Sequence, residues 1–179
     1  MRQPGSVAVP FFVEEQRARQ LWLWLILLPS MAILWIGFYY QIIRGVPFGK
    51  NPGPDWVWWV SAPLVGVGLP WLLYSARMLT EVYGHGVVVR FTTGLFPLYR
   101  KTIPVEQIKS AEARTYRPLR EFGGWGVRRG WGKRGWAYSV SGNRGVQLTL
   151  ANGKGILLGS HDPERLALAI QRVLSSHDS

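Results

Sequence analysis

The chain has 179 residues, with 21 Lys and Arg against ten acids, and its formal charge is +11. That is room for one ordinary domain plus attachments, and the charge calls for an anionic partner: lipid, nucleic acid or an acidic protein. With no cysteine it holds no disulfide framework, thiolate zinc site, iron–sulfur cluster or cysteine nucleophile. Ten tryptophans fit a membrane interface, where the amphipathic ring is favoured at headgroup level.

Residues 1–20 read as a mixed, cytosolic N-terminal segment, with Glu14 and Glu15 followed by Arg17 and Arg19. Residues 21–43 then run for 23 positions without a charge. At about 1.5 Å per residue a helix of that length covers the roughly 30 Å hydrocarbon core. Trp22 and Trp24 stand at one end, and Tyr39 and Tyr40 at the other, as an interfacial belt would have them. The run is too long for a signal peptide, and no small-x-small cleavage site follows it. Residues 44–55, rich in Gly and Pro, read as a turn. Residues 56–76 form a second uncharged run, in which Pro63 and Pro70 are expected to bend the helix. Ala62 and Gly66 form a small-xxx-small pair suited to packing on the first span. Together, residues 21–78 read as a transmembrane helical hairpin. Arg17, Arg19 and Arg77 flank it on one side and Arg44 and Lys50 on the other, and the basic chain from Arg77 onward adds to the first side. The positive-inside rule therefore puts both termini in the cytoplasm.

Beyond the hairpin the pattern shortens and alternates, and residues 79–179 read as one cytosolic domain. Strands are expected at 79–83 and 87–93, joined through Gly84-His85-Gly86, and at 98–103, 108–115 and 136–140. Residues 146–150 alternate, with Val146, Leu148 and Leu150 facing in and Gln147 and Thr149 facing out. Asn152-Gly153 is a hairpin signal leading to a strand at 155–158. Asp162 followed by Pro163 reads as a helix cap and first turn, and Leu166, Ala167, Ala169, Ile170, Val173 and Leu174 give a helical stripe to about Ser175. This is α+β: about seven antiparallel strands closed by a C-terminal helix.

Between the fourth and fifth expected strands lies the chain's most unusual stretch, residues 114–145. It carries eight Lys and Arg against a single acid, Glu121, with glycines and Trp125, Trp131 and Trp136 interspersed. Gly recurs too often for a helix and charges break a strand's alternation, so it reads as a long loop, with 123–135 its least ordered part. The candidate contacts are Arg117, Arg120, Trp125, Arg128, Arg129, Trp131, Lys133, Arg134, Trp136 and Arg144. Three readings stay open: a solvated loop that only sets topology, anionic phospholipid headgroups, or single-stranded nucleic acid stacked on Trp. A domain pinned to a bilayer argues against nucleic acid.

No chemical motif calls for catalysis, a cofactor or a metal. Gly130, Gly132 and Gly135 match G-x-G-x-x-G, but no helix follows and no acid lies between Glu121 and Asp162. Ser160, His161 and Asp162 are consecutive, whereas a triad is assembled in space. His85, His161 and His177 are not at ligand spacing. A non-enzymatic protein is expected.

Tyr116-Arg117-Pro118-Leu119, Gly123 through Arg128, Ala137 through Val146, the Asn152-Gly153 hairpin, and Gly159-Ser160 leading into Asp162-Pro163-Glu164 carry a further signal. Over residues 79–175 the chain resembles the bacterial pleckstrin-homology-like (PH-like) domains of small two-span membrane proteins. The resemblance implies a PH-like β-barrel or sandwich with a C-terminal helix on the cytoplasmic face of the bacterial inner membrane. It brings no catalytic residue and no established ligand. The expectation is thus a membrane-associated scaffold or regulatory interaction module, whose partner is another membrane or cytosolic protein. Headgroup sensing by residues 114–145 is the alternative.

Overall fold

The computed structural model of the protein describes residues 9–18, 21–94, 96–130 and 135–177. The chain divides into two compact units, Ala18–Ala76 and the remainder, in which the stretch up to Arg17 joins Arg77 onward.

The smaller unit is a pair of helices. The first, α1 (Leu21–Phe38), runs on into a π-helical turn, Tyr39–Ile43. The second begins as α2 (Asp55–Pro63), passes through a π-helical segment, Leu64–Gly68, and ends as α3 (Leu69–Ser75). That segment lies between Pro63 and Pro70, where proline rings disturb the regular i→i−4 ladder and a wider turn absorbs the mismatch. Two stretches of 21 residues, Leu23–Ile43 and Asp55–Ser75, are long and apolar enough to cross a membrane. The expected small-residue contact is present. Ala62 is buried, and a Cβ added to Gly66 would lie 2.9 Å from the indole nitrogen of Trp35. Buried Gln41 donates through Nε2 to the Gly53 carbonyl (2.7 Å) and to Asp55 Oδ1 (2.9 Å), tying the end of one helix to the start of the next.

The larger unit is built of two sheets and a helix. One sheet has the order β1-β2-β3-β4, from Phe12–Arg17, Ala76–Tyr83, Gly86–Thr93 and Phe96–Pro104. The other has the order β5-β8-β9-β7-β6, from Ile108–Thr115 (β5), Gly126–Arg129 (β6), Trp136–Ser139 (β7), Arg144–Leu150 (β8) and Gly155–Gly159 (β9). A short helix, α4 (Pro118–Phe122), follows β5, and α5 (Pro163–His177) packs on β5 and β8. Val146, Leu148 and Leu150 are buried as the alternation requires, and Leu166, Ala167, Ala169, Ile170 and Val173 form the buried stripe of α5. Asp162 caps that helix, its Oδ1 accepting from the Arg165 amide at 3.2 Å.

Two expectations need correction. Nine strands, not about seven, occur among the described residues. One of the additions is β1, from the segment read as separate, and it pairs antiparallel with β2 in a register running from Phe12↔Val82 to Arg17↔Arg77. The other is β6, inside the stretch read as a loop. Nor is the β unit wholly antiparallel. The hairpin of β8 and β9 places β9 beside β7, and these two run parallel through Trp136↔Ile156, Ala137↔Leu157 and Tyr138↔Leu158. The hairpin expected at Asn152-Gly153 is present, joining antiparallel β8 and β9. Gly153 alone has positive φ (+75°), its amide donates to the Leu150 carbonyl, and Leu150 pairs with Lys154, which makes a three-residue loop with a left-handed glycine at its end.

Candidate functional site

The described residues of 114–145 are held in place from both ends of the stretch. Glu121, the single acid, accepts from the Arg114 guanidinium (2.8 Å) and from the Arg117 amide (2.7 Å). It thereby fixes the first turn of α4, which Pro118 opens with its φ already suited to a helix. Tyr116 and Phe122 meet edge to face, centroids 6.1 Å apart, over Ala137 and Leu157 in a small buried cluster. Gly123 and Gly124 then donate back to the Leu119 and Pro118 carbonyls. The chain continues into β6, which pairs with β7 from Gly126↔Ser139 to Arg129↔Trp136, and the Gly130 amide closes that hairpin on the Gly135 carbonyl at 2.7 Å. The glycine pattern is therefore a β-hairpin signature here, with strands on both sides.

The candidate contacts separate into three groups. Trp125 and Arg144 are held by the fold: the Trp125 indole donates to the Gly142 carbonyl (2.7 Å), and Arg144 pairs with Glu164 of α5. Arg117, Arg120, Arg128, Arg129 and Trp136 are exposed, and none of these four arginines has an acidic partner among the described residues. Arg128 also reaches the Trp125 carbonyl through Nε (3.1 Å). Trp131, Lys133 and Arg134 lie outside the described residues.

Beside this hairpin is a cavity of about 390 Å³ that sequence reasoning missed. Tyr99 and Lys101 of β4, Arg129 at the end of β6, Trp136 at the start of β7 and Lys154 after the β8 turn line its rim. Ile103, Tyr138, Leu150 and Ile156 form a buried apolar floor. Tyr99 and Tyr138 stack at 5.9 Å, their hydroxyls 3.2 Å apart. Burial, and then the Tyr99 hydroxyl, push the Tyr138 phenol well above the usual tyrosine range. Among the described residues, no carboxylate lines the cavity. Strand periodicity does put Tyr99, Lys101 and Ile103 on one face of β4, but nothing in the sequence brings that face to Lys154.

Ser160, His161 and Asp162 serve the architecture. The Ser160 hydroxyl donates to Glu14 Oε2 (2.5 Å), the His161 amide donates to Glu14 Oε1 (2.7 Å), and Asp162 caps α5.

Residues 8–177 match a family described as a family of unknown function (DUF6141). The chain belongs to this family. No curated protein matches it. The matched range runs through β1, both apolar helices and the β unit.

Proposed function

We propose that this DUF6141 protein is an integral protein of the bacterial inner membrane, crossing it twice with both termini in the cytoplasm. Its β unit is a PH-like, non-enzymatic module for membrane-associated protein interaction or regulation. The observation that carries this reading is the pair of apolar helices inserted between two adjacent strands. Leu25, Ile33, Trp59 and Leu64 on those helices are exposed. An apolar surface of this kind needs a lipid or protein cover. The four-stranded sheet, the second sheet and the C-terminal helix support the PH-like reading. Extraction of membranes with alkaline carbonate tests the anchor: the protein stays in the pellet, and its release to the supernatant would sink the reading.

Exposed Arg117, Arg120, Arg128 and Arg129 favour a second activity, contact with anionic headgroups. Each basic side chain near an anionic leaflet contributes about 1 kcal/mol, screened over a Debye length of about 10 Å. The β unit should float with anionic liposomes and not with neutral ones, less at higher salt. The triple variant R120A/R128A/R129A should lose that difference. Equal flotation with both liposome types would remove the headgroup reading and leave the first.

A further inference from the structure

We infer that the cavity between β4, the β6–β7 hairpin and the β8–β9 turn is a binding site for a small phosphomonoester bearing a planar ring. Three separate elements bring Lys101, Arg129 and Lys154 to one rim, with no carboxylate in the lining and no ion pair to any of the three among the described residues. Like charges gathered in this way repel one another, and an anion relieves the repulsion while accepting charge-assisted hydrogen bonds. A phosphate supplies two negative charges and three acceptor oxygens for three cations.

The rest of the lining defines the other end of the ligand. Trp136 is 45% exposed at the rim, and Tyr99 stands beside the buried face of Tyr138. Ile103, Leu150 and Ile156 present only hydrocarbon. A flat ring inserted over that floor covers apolar surface and lies against aromatic faces. Gln107 and Asn152 add amide groups at the edge, able to donate or accept. About 390 Å³ is at the small end of the roughly 300–1,000 Å³ typical of small-molecule sites, which suits a ring with its phosphate and not a two-chain lipid. The site stands on the cavity alone and does not depend on the membrane reading.

Calorimetry on the full-length protein in phosphatidylcholine nanodiscs tests it, using phenyl phosphate, inorganic phosphate, glycerol 3-phosphate and benzyl alcohol as probes. Phenyl phosphate should bind at least about tenfold more tightly than either ring-free phosphate, and benzyl alcohol should not bind. K101A and K154A, both at exposed positions, should each weaken phenyl phosphate by about tenfold, the scale of one charge-assisted hydrogen bond. W136A should weaken phenyl phosphate and leave inorganic phosphate unchanged. R120A, outside the cavity, should change nothing. Absence of saturable phenyl phosphate binding at millimolar concentration overturns the inference, as does full binding by K154A with an unchanged melting temperature. Equal affinity for glycerol 3-phosphate also overturns it, since that would mark recognition of a lipid headgroup without a ring.

Discussion

Arg17 and Arg77 are register partners at the end of the β1–β2 ladder, although the whole helical pair lies between them in sequence. The helices are therefore an insertion into a β-hairpin, and both of their ends start from one place in a sheet. If they cross a membrane they cross it together, an even number of times. The cysteine-free sequence makes this direct to test. Single substitutions V9C, N51C and S176C, probed in intact cells with a membrane-impermeant maleimide, should label only at position 51. Labelling at 9 and 176 but not at 51 would reverse the orientation, and labelling at only one of the two termini would break the hairpin.

The same pairing predicts which piece of the chain folds alone. β1 contributes more than an edge. Gln16, 1% exposed, donates to the Gly159 carbonyl (2.7 Å), and Glu14 accepts from Gln16, Ser160 and the His161 amide. Residues 79–179 alone take those partners from the Gly159 carbonyl and the Ser160 hydroxyl, at about 1–3 kcal/mol for each that stays buried. Joining residue 17 to residue 77 through Asn-Gly replaces the helices with a tight hairpin turn. The joined chain should unfold cooperatively in urea, and residues 79–179 should be markedly less stable or unfolded. Equal midpoints for the two would refute the role of β1.

Gly135 and Gly153 both have positive φ, +69° and +75°, but their surroundings differ. A Cβ at Gly135 would lie 1.8 Å from the Gly155 carbonyl oxygen, where β7 and β9 begin side by side, whereas nothing approaches Gly153 within 4 Å. G153A should therefore cost only the left-handed conformation, about 1–2 kcal/mol. G135A adds a backbone clash that separates two strands, and a loss above about 4 kcal/mol is expected. Denaturant midpoints of the two variants give the comparison. Similar midpoints would show that the approach of Gly135 to Gly155 is not a constraint.

What the sequence disclosed follows from where its polar residues point. Residues 146–150 and α5 were legible because each buries hydrocarbon on one face and shows polar groups on the other. β1 was hidden by its own chemistry: Glu14 and Gln16 occupy inward positions because their partners there are a backbone carbonyl, a hydroxyl and an amide. β6 has one apolar residue, Val127, opposite Tyr138, and becomes a strand only by pairing with β7. The charges of residues 114–145 were plain, but their pairing was not. Glu164, which engages Arg144, is 20 residues away, and Lys101 and Lys154 reach the same cavity only through sheet packing.

Alkaline pH offers a test of the tyrosine pair beneath that cavity. Burial, joined by the Tyr99 hydroxyl, raises the Tyr138 phenol, and burial also raises Tyr116. In the unfolded chain both ionise near pH 10. Below that pH neither state has lost the proton, and the full stabilising contribution is present. Above it the unfolded chain releases protons that the folded chain keeps, so stability falls as pH rises towards the folded values. Each such group adds a slope of up to about 1.4 kcal/mol per pH unit. Y138F removes one of them, so its urea-derived stability should fall less steeply above pH 10, by up to about 1.4 kcal/mol per pH unit, after a drop of about 1 kcal/mol at neutral pH for the lost Tyr99 contact. A slope unchanged in Y138F would mean that the Tyr138 phenol ionises in the folded protein as readily as in the unfolded one.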